Sequence, residues 1–354
     1  MSVAVRIAMV WLRHLLCLFW SVAACAQTVS PGASPCAQCH SQAKTQPNTS
    51  MGHALETVED CKTLIEHPLL TLTVGKYSYR IERKGPQGDY SVSDGAKTLT
   101  LPIRWVMGAS SAIGQTFVLI KDGELYESRV SYFRDIQGLG PTLGSEGSVP
   151  GNITEAAGRL MTQEDKLSCF GCHATDARSG GQLTLDKMSP GVQCAHCHKD
   201  TDTHLAAMLL NSYDLESHKG KAKPHLFAAE QVSDFCGQCH RTWAEIAMQP
   251  NPGIANIRFQ PYRLAGSKCY DVDDARISCL ACHDPHREVS ANPLDYDAKC
   301  LACHGGKKPG AKNCPKSKQS CVTCHMPKLE LPGAHFKFSD HRIRVVKPNE
   351  PFPG

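Results

Sequence analysis

The chain has 354 residues, with 38 Lys and Arg against 34 Asp and Glu, and a formal net charge of +4. So small an excess is no electrostatic footprint for nucleic acid, and no stretch after the N-terminal one is apolar for long enough to span a bilayer. The unusual figures are 19 Cys and 17 His, which point to covalent or metal chemistry.

Residues 1–26 read as an export signal. Arg6, Arg13 and His14 form the positive start, Leu15 to Ala24 the apolar run, and Ala24-Cys25-Ala26 a small-residue cleavage site before Gln27. An uncleaved anchor helix is the alternative. Val22-Ala23-Ala24-Cys25 also resembles a bacterial lipobox, which would leave a lipid on Cys25 as a membrane tether. The expected location is the periplasm or the extracellular face.

The next landmark is Cys36-Ala-Gln-Cys39-His40. The same Cys-x-x-Cys-His pattern returns six times: Cys169 to Cys172 with His173, Cys194 to Cys197 with His198, and Cys236 to Cys239 with His240. Cys279 to Cys282 with His283, Cys300 to Cys303 with His304, and Cys321 to Cys324 with His325 complete the set. Composition alone yields roughly 0.05 copies by chance. Each reads as a c-type haem attachment site, with two thiols one helical turn apart for the porphyrin vinyls and the next His as proximal iron ligand. Zinc sites and disulfide scaffolds are the competing readings, but neither requires a His directly after the second Cys. The expectation is seven covalently attached haem c groups, in a first haem-binding segment (27–66) and a six-haem domain (151–345).

Between Cys61 and Cys169 there is no cysteine, and the pattern changes to period two. Lys76 to Arg83, Asp89 to Ser93, Thr98 to Leu101, Gln115 to Ile120 and Glu124 to Val130 alternate as strands. Gly85 to Gly88, Asp94-Gly95 and Asp122-Gly123 supply the turns. Residues 67–150 are therefore expected to form a small antiparallel subdomain of five or six strands plus a linker, as scaffold or as a docking module. Thr154 is the expected N-cap of a helix from Glu155 to about Leu167, leading to Cys169.

From Cys169 the motifs recur every 21 to 43 residues, which leaves little room for an ordinary side-chain core. The fold class expected is α+β: a haem-dense, mainly α or irregular multihaem cytochrome fold with a small antiparallel β-sheet insertion, poorly folded without haem. Residues 346–354 read as a flexible tail.

Nine histidines outside the motifs and the signal could serve as distal ligands. His53, His204, His286, His335 and His341 are the better candidates. His286 lies too close to His283 to share its iron, so it should serve a neighbouring haem. His67 and His225, each beside a proline, stand between ligand and ordinary packing residue; His196 and His218 are weaker. A full set of bis-His haems would be six-coordinate and low in potential. Cys61, Cys269 and Cys314 remain outside the motifs, with a Cys269–Cys314 disulfide or buried free thiols as the alternatives. Export removes two positive charges, and each oxidised haem contributes about −1, which brings the mature holoprotein to roughly −5.

The order resembles bacterial multihaem cytochromes of the hydroxylamine-oxidoreductase-like group and their tetrahaem relatives. The resemblance is carried by Gly191-Val-Gln-Cys194 to His198 with His204, by Cys279 to His283 with Asp284-Pro285-His286, and by Cys321 to Lys328 with Phe338-Ser-Asp-His341-Arg342. It covers roughly 36–60 and 165–345. A departure is Lys199 to Asp202, where the group commonly has Gly-Pro-Gly. The resemblance implies haem pairs in stacked or perpendicular contact, with His204, His286 and His341 as distal ligands. The leading functional expectation is an electron carrier between redox partner proteins, such as other cytochromes or membrane quinol-linked complexes. The alternative is an oxidoreductase acting on a small nitrogen oxyanion or hydroxylamine at a five-coordinate haem, so whether the chain is an enzyme stays open, as does its oligomeric state.

Overall fold

A computed structural model describes residues 35–109, 113–209, 228–248, 253–274, 276–305, 314–347 and 349–352. The chain divides into two compact units, Met1–Ala43 and Lys44–Gly354. The described part of the first contains a 3-10 turn, Pro35–Gln38, after which the His40 amide donates to the Cys36 carbonyl at 2.8 Å. The export signal, Cys25 and His225 lie outside the described residues. Among the described residues no helix is long and apolar enough to cross a membrane.

The second unit is built on a nine-stranded antiparallel sheet. Its strands are β1 (Leu55–Glu56), β2 (Leu69–Val74), β3 (Tyr77–Lys84), β4 (Gln87–Ser93), β5 (Thr98–Met107), β6 (Gly114–Lys121), β7 (Glu124–Phe133), β8 (Gly138–Pro141) and β9 (Gly158–Leu160). Strands β2 to β8 follow one another in order, β1 adds to β5 and β9 adds to β7. Alternation makes the meander: Tyr77, Tyr79 and Ile81 of β3 face inward while Ser78 and Arg80 face solvent. Asp122 (φ 52°) and Gly123 (φ 81°) are both left-handed, the two-residue hairpin geometry that matches strand twist. Register shifts between Ile103 and Trp105 and between Thr116 and Val118 bend β5–β7. The edges β2 and β8 approach each other, so the sheet curls into a nearly closed barrel.

This corrects the expected fold class. The sheet is no small insertion in a mainly α, haem-dense fold: it is the largest element among the described residues and holds its own core. Ile81, Tyr90, Val92, Phe117 and Leu119 are fully buried inside it, joined by Leu64 from the helix Lys62–Glu66 and Ala156 from the helix Ile153–Ala157. The physical reason is local. Strands of eight to ten residues satisfy one another's backbone groups, whereas the motif helices run from four to twelve residues. The expected helix from Glu155 to Leu167 is also interrupted. Asn152 caps a first turn, then Gly158 passes so close to the Glu127 carbonyl that a side chain would not fit, and the chain pairs as β9 with β7.

The barrel's outer face positions the motif that ends at His173. Thr162 and Asp165 form a capping box for the helix Gln163–His173, with Asp165 N donating to Thr162 Oγ1 at 3.0 Å and Thr162 N to Asp165 Oδ2 at 2.9 Å. Phe170 of this helix is fully buried, edge-on to Trp105 of β5 at 5.2 Å, beside Leu125 and Met161. Burial of one such ring contributes about 1.5–3 kcal/mol. A third cluster, Ile257, Leu331, Ala334 and Phe338, gathers the C-terminal segment and its short hairpin of Lys328–Glu330 and Lys337–Ser339.

Candidate functional site

Each described motif occupies one helical turn. Cys169 and Cys172 end the helix Gln163–His173, Cys236 and Cys239 end Ala229–His240, and Cys300 and Cys303 end Asp297–His304. The turns Cys194–Cys197, Cys279–Cys282 and Cys321–His325 consist of little but the motif. Closure is by the same bond each time it is seen: His198 N donates to Cys194 O at 2.9 Å and His283 N to Cys279 O at 2.8 Å. This puts two thiols on one face, followed by an imidazole. All the described motif cysteines are partly or wholly exposed thiols. Phe235, Trp243 and Leu280, beside or within motifs, are each more than half exposed. Uncovered thiols flanked by uncovered apolar side chains suit a porphyrin that bonds the former and shields the latter.

The motifs also neighbour one another. Cys172 lies beside Cys239, Cys236 beside Cys279, and Cys300 beside Cys321. The Cys239 partner lowers the Cys172 thiol to about 7, and the Cys236 partner does the same for Cys279. Thiols in contact across motifs mean that groups attached to them would be closely spaced.

The histidines carry the sharper signal. His173 Nδ1 bonds Ala54 O at 2.7 Å, His325 Nδ1 bonds Arg344 O at 2.9 Å and His341 Nδ1 bonds Ser339 O at 3.0 Å. His53 Nδ1 faces Glu56 Oε1 at 3.0 Å, and His286 Nδ1 faces Asp284 Oδ1 at 3.1 Å. An acceptor at Nδ1 favours the tautomer with its proton there, which leaves Nε2 as the nitrogen able to bind a metal. Burial pushes His173, His240 and His283 down from their ordinary value, and burial with His283 alongside drives His341 down to about 4. These imidazoles are neutral at pH 7, the form a metal requires.

Two pairs face each other at a telling distance. The rings of His198 and His286 are 6.1 Å apart and near-parallel, and those of His283 and His341 are 6.2 Å apart. Two imidazoles bound to one metal through nitrogens about 2.0 Å from it place their ring centres on the order of 6 Å apart. Among the described residues no group of three or more His, Cys, Asp or Glu converges as around a bare ion. A porphyrin supplies four nitrogens itself, so a facing pair is the full protein complement for haem iron.

The other candidates are placed differently. His335 stands edge-on to Phe133 of β7 at 4.9 Å, and His67 lies against Tyr132 at 5.6 Å, so both pack on the sheet. His204 is exposed on the helix Thr201–Leu209, and His304 ends its own helix. The thiols of Cys269 and Cys314 are free and exposed, which matches neither of the two alternatives for them, a disulfide or buried thiols, while Cys61 is a buried free thiol of the barrel core. Burial pushes the Cys269 thiol up, whereas the amides of Lys316 and Ser317 hold the Cys314 thiol below its ordinary value. Sequence reasoning missed the acceptors behind the imidazoles. A carboxylate two residues before His286 and three after His53 was a readable signal; the carbonyls of Ala54, Ser339 and Arg344 left none.

A family model described as cytochrome c554 and c-prime matches residues 150–199, the stretch that holds the motifs ending at His173 and His198. This supports a c-type cytochrome with covalently bound haem c and a role in electron transfer. No curated protein matches the chain, and no solved structure does.

Proposed function

We propose that the chain is an exported heptahaem c-type cytochrome that passes single electrons between redox partner proteins, other cytochromes or a membrane quinol-linked complex. The observation that carries the reading is two pairs of neighbouring imidazoles, His198 with His286 and His283 with His341, their ring centres 6.1 and 6.2 Å apart. Haem held by two imidazoles is six-coordinate and low-spin, and it exchanges one electron without an open position for substrate.

The residues divide the work. Fourteen motif cysteines anchor by thioether bonds. His40, His173, His198, His240, His283, His304 and His325 are the proximal ligands. His286 and His341 close the distal side of two haems, and His53, with Nδ1 held by Glu56, is oriented to close a third. His204, His335, His67 and His225 complete the candidate pool. The thiol contacts between motifs support an electron path whose steps are short.

Electron paramagnetic resonance of the oxidised, fully matured protein tests this. Low-spin signals alone are expected. A substantial high-spin haem that binds cyanide or nitrite would overturn the carrier reading in favour of catalysis at an open haem.

A further inference from the structure

The segment Asp340–Arg344 reaches two motifs at once. Its His341 ring stands 6.2 Å from that of His283, and its Arg344 carbonyl accepts from His325 Nδ1 at 2.9 Å. The Arg344 amide donates back to the His325 carbonyl at 3.2 Å. His283 and His325 belong to different motifs, so one short stretch touches the axial ligands of two irons.

Residues 340–344 carry no helix or strand of their own; other groups must hold them. Asp340, wholly buried, accepts from Arg263 Nε at 2.9 Å and Nη2 at 3.0 Å, and from Arg344 Nη1 at 2.6 Å. Arg263, only 2% exposed, comes from the helix Gln260–Ala265 and is covered by the Phe352 ring at 4.3 Å. Just beyond that helix, Ser267 Oγ donates to the His341 carbonyl at 3.1 Å and accepts from the Ile343 amide at 2.8 Å. A buried ion pair gains little stability over well-packed apolar residues, but its two-pronged geometry fixes a register.

We propose that Asp340 is a positioning residue: paired with Arg263, it clamps one segment that serves two haems, so the axial geometries at His283 and His325 are set together. The inference rests on the haem reading above. A second loop repeats the construction. Buried Glu56 accepts from Gln115 Nε2 at 2.8 Å and faces His53 Nδ1, while Ala54, between them, holds His173.

The test uses the full chain matured with haem, as parent and as Asp340→Asn, Ser267→Ala and His341→Ala. Haem per chain is counted first, then paramagnetic resonance and a redox titration are recorded. His341→Ala should turn one haem high-spin. Asp340→Asn should leave the haem count unchanged and shift the signals and midpoint potentials of two haems, and Ser267→Ala should shift the same two by less. If Asp340→Asn does not fold, Ser267→Ala decides. A lower melting temperature with all signals unmoved, or a change confined to one haem, would overturn the clamp. A parent chain without haem would instead overturn the reading on which the clamp rests.

Discussion

Individual side chains make the account testable one at a time. His286 has its Nδ1 engaged by Asp284 and its ring parallel to that of His198. His286→Ala should therefore convert one haem to high-spin, and added imidazole should restore the low-spin spectrum; no change on substitution would detach His286 from any iron. The three extra thiols separate by environment. Burial pushes the Cys61 thiol up to about 12, whereas the amides of Ser317 and Lys316 hold the exposed Cys314 thiol below its ordinary value. The thiolate is the nucleophile, so iodoacetamide at pH 8 should label Cys314 in the native protein and reach Cys61 only after unfolding, as peptide mass mapping would show. Asp165 adds a pH dependence. Its hydrogen bonds from Arg159 and Thr162 hold its carboxyl well below the usual range. A depressed carboxyl contributes stability above its unfolded value, about 3.9, and loses it as the pH falls toward the folded one. Asp165→Ala should cost about 1 kcal/mol near neutrality, and urea melts should show the gap to the parent closing below about pH 3.

At the scale of elements, the barrel and the motif helices should behave differently without haem. The fully buried Ile81, Tyr90, Phe117 and Leu119 lie in a cluster that draws no motif residue. Chain produced without haem attachment should keep its strand signal and slow amide exchange across β3–β7, while 228–248 and 276–305 exchange fast; uniform fast exchange would contradict this. Gly158→Ala should drive a methyl against the Glu127 carbonyl, detach β9 from β7 and loosen the helix that presents Cys169, at a cost of about 1–3 kcal/mol in thermal melts. Much of the sheet was legible because Tyr77, Tyr79 and Ile81 alternate with polar neighbours and Asp122-Gly123 is a hairpin turn. Its size was not. β1, β8 and β9 have two to four residues each, too few to show a period, and curling depends on two bulges that no residue type announces. The motifs have the opposite character. They declare their chemistry through Cys and His spacing, yet say nothing of how their short helices pack, and that is why their density misled the expectation of fold. The facing histidine pairs lie 88 and 58 residues apart along the chain, distances over which sequence pattern carries no contact information.

For the whole molecule, the barrel's outer face and β1 loop hold imidazoles through Phe170, Ala54 and Glu56, and the C-terminal segment does the same through Asp340 and Arg344. With seven haems the mature protein should migrate as an anion of roughly −5 despite a slightly basic sequence. The claim beneath all of this is covalent haem at every motif. Intact mass of the exported protein, matured in a host that attaches c-type haem, measures it directly. Seven covalent haems per chain are predicted; a colourless protein, bound zinc, or fewer than seven haems on fully matured chain would contradict the account.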